Sequence, residues 1–152
     1  MSGTEGRENP HERTSPRVRP WRTTARQVQE GGDLTLEATF GYDPDDPWAI
    51  RAHFRDARGG SVVWELSREL LRSGTHMPSG RGDVRLWPLY QGRRGGRVRM
   101  LLGPPGARAL VDVDRAALRR WLGETYAAVP DGGEAGRIDW KAETTLLLGQ
   151  GG

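Results

Sequence analysis

Three histidines, His11, His53 and His76, are the only imidazoles the chain offers for acid–base or metal chemistry. His11 lies among prolines and arginines, His53 falls on the outward face of an alternating segment, and His76 sits in a predicted loop. None is spaced from a carboxylate or serine so as to build a proton relay or a ligand set, which needs convergent partners. Cysteine is absent. That excludes disulfides, thiolate metal sites and cysteine nucleophiles. The sequence therefore predicts no catalytic residue, no metal and no cofactor.

Other clusters resemble chemical motifs and fail in detail. Asp43, Asp45 and Asp46 look like the start of a calcium loop, but such a loop needs glycine at its sixth position and glutamate at its twelfth. Trp48 and Phe54 stand there. Gly80-Arg81-Gly82 has the rhythm of a phosphate loop, yet it lacks the following lysine and serine and leads into a strand where a helix should begin. Arg81-Gly82-Asp83 spells an adhesion tripeptide, a coincidence in a chain read as cytoplasmic. Arg81, Arg85, Arg93, Arg94, Arg97 and Arg99, interleaved with Trp87 and Tyr90, form the one pattern suited to single-stranded nucleic acid, through phosphate contacts and base stacking. The competing reading is a solvated hairpin with an outward arginine face.

The elements that position these residues are legible from periodicity. Leu34, Leu36, Ala38, Phe40 and Tyr42 alternate with polar residues, the period of a strand with one buried face. Asp43 to Pro47 forces a turn, because proline fixes φ and aspartate favours turn geometry. Trp48, Ile50, Ala52 and Phe54 mark a second strand, and Val62, Trp64 and Leu66 the inward face of a third. Ser67 caps a short helix that Gly74 ends. Strands then follow at Asp83 to Trp87, Val98 to Leu102 and Ala107 to Val113. Asp114 caps the clearest helix, with Leu118, Trp121, Leu122 and Tyr126 on one face. A last short helix is expected from Asp139 to about Leu147. The expectation is an α+β fold, a single domain built on a mostly antiparallel sheet of about six strands with three helices.

Charge and composition set the boundaries. The chain of 152 residues carries a net charge of +3. Residues 1–27 hold six arginines against three glutamates, so the whole surplus lies there and the remaining residues balance. With Pro10, Pro16 and Pro20 and no apolar periodicity, residues 1–27 read as a disordered arm. Residues 28–148 read as the folded domain and 149–152 as a flexible tail. Six tryptophans spread along the chain give that domain a core of respectable size. No apolar run approaches the roughly 20 residues that span a bilayer, and the polar N-terminus shows no secretory signal. A cytoplasmic protein without membrane insertion is expected.

Three ordered segments resemble the SsgA-like protein family. Tyr42-Asp43-Pro44-Asp45-Asp46-Pro47-Trp48-Ala49-Ile50 is similar to the family's Tyr-Asp-x-x-Asp-Pro-Tyr-Ala-Val. Val62-Val63-Trp64-Glu65-Leu66-Ser67-Arg68-Glu69-Leu70-Leu71 is similar to its Val-x-Trp-x-Phe-Ala-Arg-Asp-Leu-Leu. Pro78-Ser79-Gly80-Arg81-Gly82-Asp83-Val84-Arg85-Leu86-Trp87-Pro88 is the most specific of the three, and Ala128-Val129-Pro130 fits the exit of the family's long helix. The arginine-rich arm departs from the family pattern, and Thr23 to Gln29 is more polar than the amphipathic first strand the family shows.

The resemblance implies a regulator of sporulation-linked septation in actinomycetes, acting without catalysis. It implies a bell-shaped homotrimer at the septum that helps localise division or cell-wall machinery. The implied partners are division proteins such as the tubulin-like FtsZ, or an SsgA-like paralogue. The family topology is also similar to organellar single-stranded nucleic-acid-binding proteins, so nucleic acid is the runner-up partner. Within the motifs, Trp64 and Leu66 read as core, and Gly80 and Gly82 as suppliers of unusual backbone angles. The polar remainder, Asp43, Asp46, Arg81, Asp83 and Arg85, is either turn chemistry or a protein-interaction surface.

Overall fold

The computed structural model describes residues 17–90 and 95–133. Eight strands form one antiparallel sheet: β1 (Trp21–Val28), β2 (Leu34–Tyr42), β3 (Ala49–Arg55), β4 (Ser61–Ser67), β5 (Ser79–Arg81), β6 (Val84–Leu89), β7 (Arg97–Leu102) and β8 (Ala109–Asp114). Their spatial order is β4-β3-β2-β1-β8-β7-β6-β5. Two helices join them among the described residues, α1 (Arg68–Gly74) and α2 (Arg115–Ala128). The α+β class and the antiparallel pairing agree with the sequence. The expected six strands become eight, and the expected third helix over Asp139–Leu147 lies outside the described residues.

The two additional strands escaped for different reasons. β5 has only three residues, too few to show a period. β1 lies almost wholly inside the expected disordered arm, whose residues 1–16 are outside the described set. Opposite the apolar Phe40, Ala38 and Leu36 of β2 it sets Trp21, Thr23 and Ala25, a row with little apolar contrast. What holds β1 is position. It pairs with β2 over seven residues and with β8 through Arg26, Gln27 and Val28, so it alone joins the β2–β4 half of the sheet to the β5–β8 half.

The inner face follows the alternation read from the sequence. Leu36, Ala38, Phe40 and Tyr42 are buried with Ile50, Ala52 and Phe54, and with Leu86, Val98, Met100, Leu102, Val111 and Val113 across the sheet. Helix α2 covers this face with Leu118, Trp121 and Leu122. An aromatic stack marks the centre. The Trp21 ring lies 4.9 Å from Phe40 and 6.4 Å from Trp121, and Phe54 meets Phe40 edge-on at 6.1 Å. The indole Nε1 of Trp121 donates to the Arg19 carbonyl at 2.8 Å, fastening the segment just before β1. Both expected caps are present: Ser67 Oγ accepts from the Leu70 amide and Asp114 Oδ2 from the Ala117 amide. Three apolar residues placed inward by alternation are instead exposed. Leu34 opens β2. Val62 lies on the edge strand β4, and Trp48 precedes β3 in the turn.

One buried cation ties the helices to the sheet. Arg68 is 1% exposed. Its Nη1 donates to the carbonyls of Thr125 and Val129, both at 2.9 Å, at the C-terminal end of α2. Its guanidinium stands 3.8 Å from the Tyr126 ring centre and 5.1 Å from that of Tyr42. The helix C-terminus carries partial negative charge and the ring faces are electron-rich, so both compensate the lost hydration.

Two outcomes follow. A chain beginning at residue 28 lacks most of β1 and should fail to give a cooperative unfolding transition by circular dichroism, whereas one beginning at residue 17 should unfold like the full chain. Arg68→Ala should lower stability by about 3 kcal/mol or more in urea titration, because the α2 carbonyls lose their buried donor.

Candidate functional site

The five polar residues singled out from the sequence fall into two groups. Asp43 and Asp46 are exposed in the β2–β3 turn. Asp43 is occupied by turn chemistry: its Oδ1 accepts from the Asp45 amide at 2.9 Å and its carbonyl from the Asp46 amide at 2.8 Å. The Tyr42 hydroxyl donates to the Pro47 carbonyl at 2.9 Å and closes the loop from below. Arg81, Asp83 and Arg85 are exposed on the β5–β6 hairpin. No hydrogen bond or ion pair joins the two groups among the described residues. Among the described residues the side chains of Asp46, Arg81, Asp83 and Arg85 are exposed and make no hydrogen bond or ion pair, while that of Asp43 is engaged in the turn.

The hairpin explains its own glycines. A side chain on Gly80 would meet the Val84 carbonyl at 2.3 Å, closer than any atom can approach, and its φ is 95°. Gly82 opens a two-residue turn with φ 68°, the position that hairpin turns of this kind reserve for glycine. Asp83 anchors the tip, its carbonyl accepting from the Gly103 amide at 2.9 Å. Arg81 and Arg85 then line an open groove of about 530 Å³ beside Trp87.

The arginine row read as a nucleic-acid face is engaged in part. Arg99 grips the buried Asp112 with two hydrogen bonds, Nε to Oδ1 at 2.8 Å and Nη2 to Oδ2 at 2.9 Å, and Arg97 adds a contact at 3.6 Å. The hydrogen bond to Asp112 is the main reason the Arg99 guanidinium is held protonated even more firmly than usual. Arg93 and Arg94 lie outside the described residues. Two of the six arginines thus serve the sheet, sharing the single carboxylate of Asp112.

A cationic stripe that sequence reasoning missed runs along the seam of α1 and α2. Arg72 bonds Asp131 at 2.7 Å and stands over the Tyr126 ring at 4.6 Å. Arg115 donates Nε to the Thr75 carbonyl at 2.6 Å and lies 5.0 Å from the Tyr90 ring centre. Arg119 follows one helical turn later and is exposed. His76 faces all three: partial desolvation lowers its pKa below the ordinary value, and the charges of Arg119, Arg115 and Arg72 push the same way. The i, i+4 spacing of Arg115 and Arg119 was visible in the sequence, but their approach to His76 and Arg72 depends on the packing of two helices.

No group of three or more histidine, cysteine, aspartate or glutamate side chains among the described residues could hold a metal ion. No described helix is long and apolar enough to cross a membrane.

The family model for the Streptomyces sporulation and cell division protein SsgA matches residues 36–134, from β2 through the end of α2. The chain belongs to the SsgA family. It is 41% identical to the sporulation-specific cell division protein SsgB of Frankia casuarinae over 122 residues, covering 80% of this chain and 84% of that protein. To SsgB of Streptomyces coelicolor it is 36% identical, covering 81% and 89%. Among solved structures it resembles the SsgA-like sporulation-specific cell division protein of Thermobifida fusca, with a TM-score of 0.76 at 34% identity over 86% of this chain and 96% of that one. A second solved structure, reported with SsgB mutations that correlate to longitudinal cell division during sporulation of Streptomyces coelicolor, matches with a TM-score of 0.69 at 36% identity over 78% and 93% of the two chains. The three sequence motifs lie within this shared region, and so does Arg68, which gives the second motif its arginine a structural reason.

The electrostatics of the stripe give a pH test. His76 should titrate below the ordinary histidine value near 6.5 by NMR, and Arg119→Gln should move it back upward. Since the unfolded chain binds this proton more readily, acidification through that range should favour unfolding.

Proposed function

We propose that the protein is a non-catalytic scaffold in sporulation-linked septation, holding division or cell-wall proteins in place at the septum. The observation that carries this reading is the match to proteins named for sporulation-specific cell division across nearly all of the described fold. The site chemistry agrees with it. The exposed polar residues Asp46, Arg81 and Arg85 sit on rigid turns, which suits recognition of a protein surface. The partner in this reading is a division protein, the tubulin-like FtsZ or an SsgA-like paralogue.

The same reading includes self-assembly, with a trimer as the family form. Strand β4 is an edge of the sheet and exposes Val62 by 49% and Val63 by 55%. An apolar edge strand of this kind invites pairing with another chain. Nucleic acid is the weaker partner class, because Arg97 and Arg99 are committed to Asp112.

The test uses the full chain tagged in a sporulating actinomycete. It should concentrate at septa and capture division proteins. The triple variant Asp46→Lys, Arg81→Glu, Arg85→Glu should keep its circular dichroism spectrum and lose most of that capture. Diffuse localisation of the unaltered protein, or capture unaffected by the triple change, would count against the scaffold and its docking residues respectively.

A further inference from the structure

The α1–α2 stripe has no role in the reading above, and its chemistry is specific. Among the described residues neither Arg115 nor Arg119 pairs with a carboxylate. Both lie on α2 one turn apart, and the charges of both are felt at His76, two residues beyond α1. Arg115 is pre-oriented: its bonds to Thr75 and the Tyr90 ring fix the guanidinium where it stands. Tyr90 is 59% exposed and Met77 57% exposed, so apolar surface flanks the cations. From Arg115 to Tyr126 the helix rises about 16 Å. An extended chain covers that span with about five residues.

From this arrangement we infer that Arg115 and Arg119, beside His76 and the Asp131-paired Arg72, form a docking site for a short acidic segment of a partner protein, with Met77 and Tyr90 receiving its apolar side chains. The inference rests on the reading that the chain works by holding another protein, and it names a second contact on that protein. Carboxylates suit the stripe because guanidinia give them charge-assisted hydrogen bonds: Arg119 is exposed, and Arg115 keeps Nη2 while its Nε and Nη1 donate to the carbonyls of Thr75 and Gly95. Single-stranded nucleic acid suits it less. Base stacking needs open ring faces, whereas Tyr126 already carries the guanidinia of Arg68 and Arg72. Residues 28–152 also carry no net charge to draw a polyanion from a distance. A short acidic ligand needs only the local field, which acts within a Debye length of about 8–10 Å at ordinary salt.

The experiment measures fluorescence anisotropy of a short labelled peptide of alternating glutamate and leucine titrated with the full chain. The same peptide with glutamine for glutamate and a single-stranded oligonucleotide of equal charge serve as comparisons. The glutamate peptide should bind about tenfold tighter or more than the glutamine one, a difference of about 1.4 kcal/mol, and should weaken as salt rises. Arg119→Glu should remove that advantage and Arg119→Lys should keep most of it. Arg58→Glu, in the remote β3–β4 turn, should change nothing. Arg119 is exposed and makes no fold-holding bond, so an unchanged circular dichroism spectrum is expected for each variant. Equal binding of the two peptides, indifference to Arg119→Glu, or tighter binding of the oligonucleotide would each overturn the inference. Peptide binding without septal capture would sink the scaffold reading alone, and septal capture without peptide binding would sink this inference alone.

Discussion

The buried guanidinium of Arg68 is the contact on which the arrangement of this molecule turns. It begins α1, directly after β4, and it ends α2 by taking the carbonyls of Thr125 and Val129. It also lies over Tyr42, at the end of β2. A single side chain therefore links three parts of the chain that are far apart in sequence. Removing a cation from water is costly. The compensation comes from a helix end and two aromatic rings, groups that are fixed in direction, so the cation dictates where α2 must stop and how α1 must lie against it. Tyr126 completes the arrangement by receiving Arg72 as well.

Strand β1 supplies the second constraint. It is poor in apolar side chains, yet every path through hydrogen-bonded strands from one half of the sheet to the other passes along it. Its one aromatic residue, Trp21, packs against both Phe40 of β2 and Trp121 of α2, which also meet each other. Within the sheet, β1 thus joins the halves by backbone hydrogen bonds, with Trp21 adding an aromatic contact to Phe40 and Trp121. A strand held in this way has little need of alternating side chains, which is why it carries polar residues without loss of the fold.

These two constraints also allot the arginines. The chain is rich in them, and by composition they look interchangeable. In the folded molecule they divide by neighbour. Arg68 is structural, Arg97 and Arg99 are committed to the buried Asp112, and Arg81, Arg85 and Arg119 remain available at the surface. Exposed arginines that pair with no carboxylate among the described residues thus stand on the β5–β6 hairpin and at the α1–α2 seam, among other places.

The strands β2 and β3 and the helix α2 were legible from the residues because their burial is one-sided. Period two and period 3.6 are direct consequences of backbone geometry, and Ser67 and Asp114 could be read as caps because unsatisfied amides at a helix start need an acceptor. Gly80 and Gly82 were legible as backbone positions, and three motifs with their spacing pointed to the family. Tertiary structure decided the rest. Whether Trp21 to Val28 is a strand depends on β2 and β8 lying on either side of it, not on its own pattern. Whether Val62 is buried depends on β4 being an edge. Asp43 takes part in the turn because of where the Asp45 and Asp46 amides fall. The stripe of Arg72, His76, Arg115 and Arg119 exists only once two helices meet, since residues about 40 positions apart acquire a common environment through packing and not through local sequence.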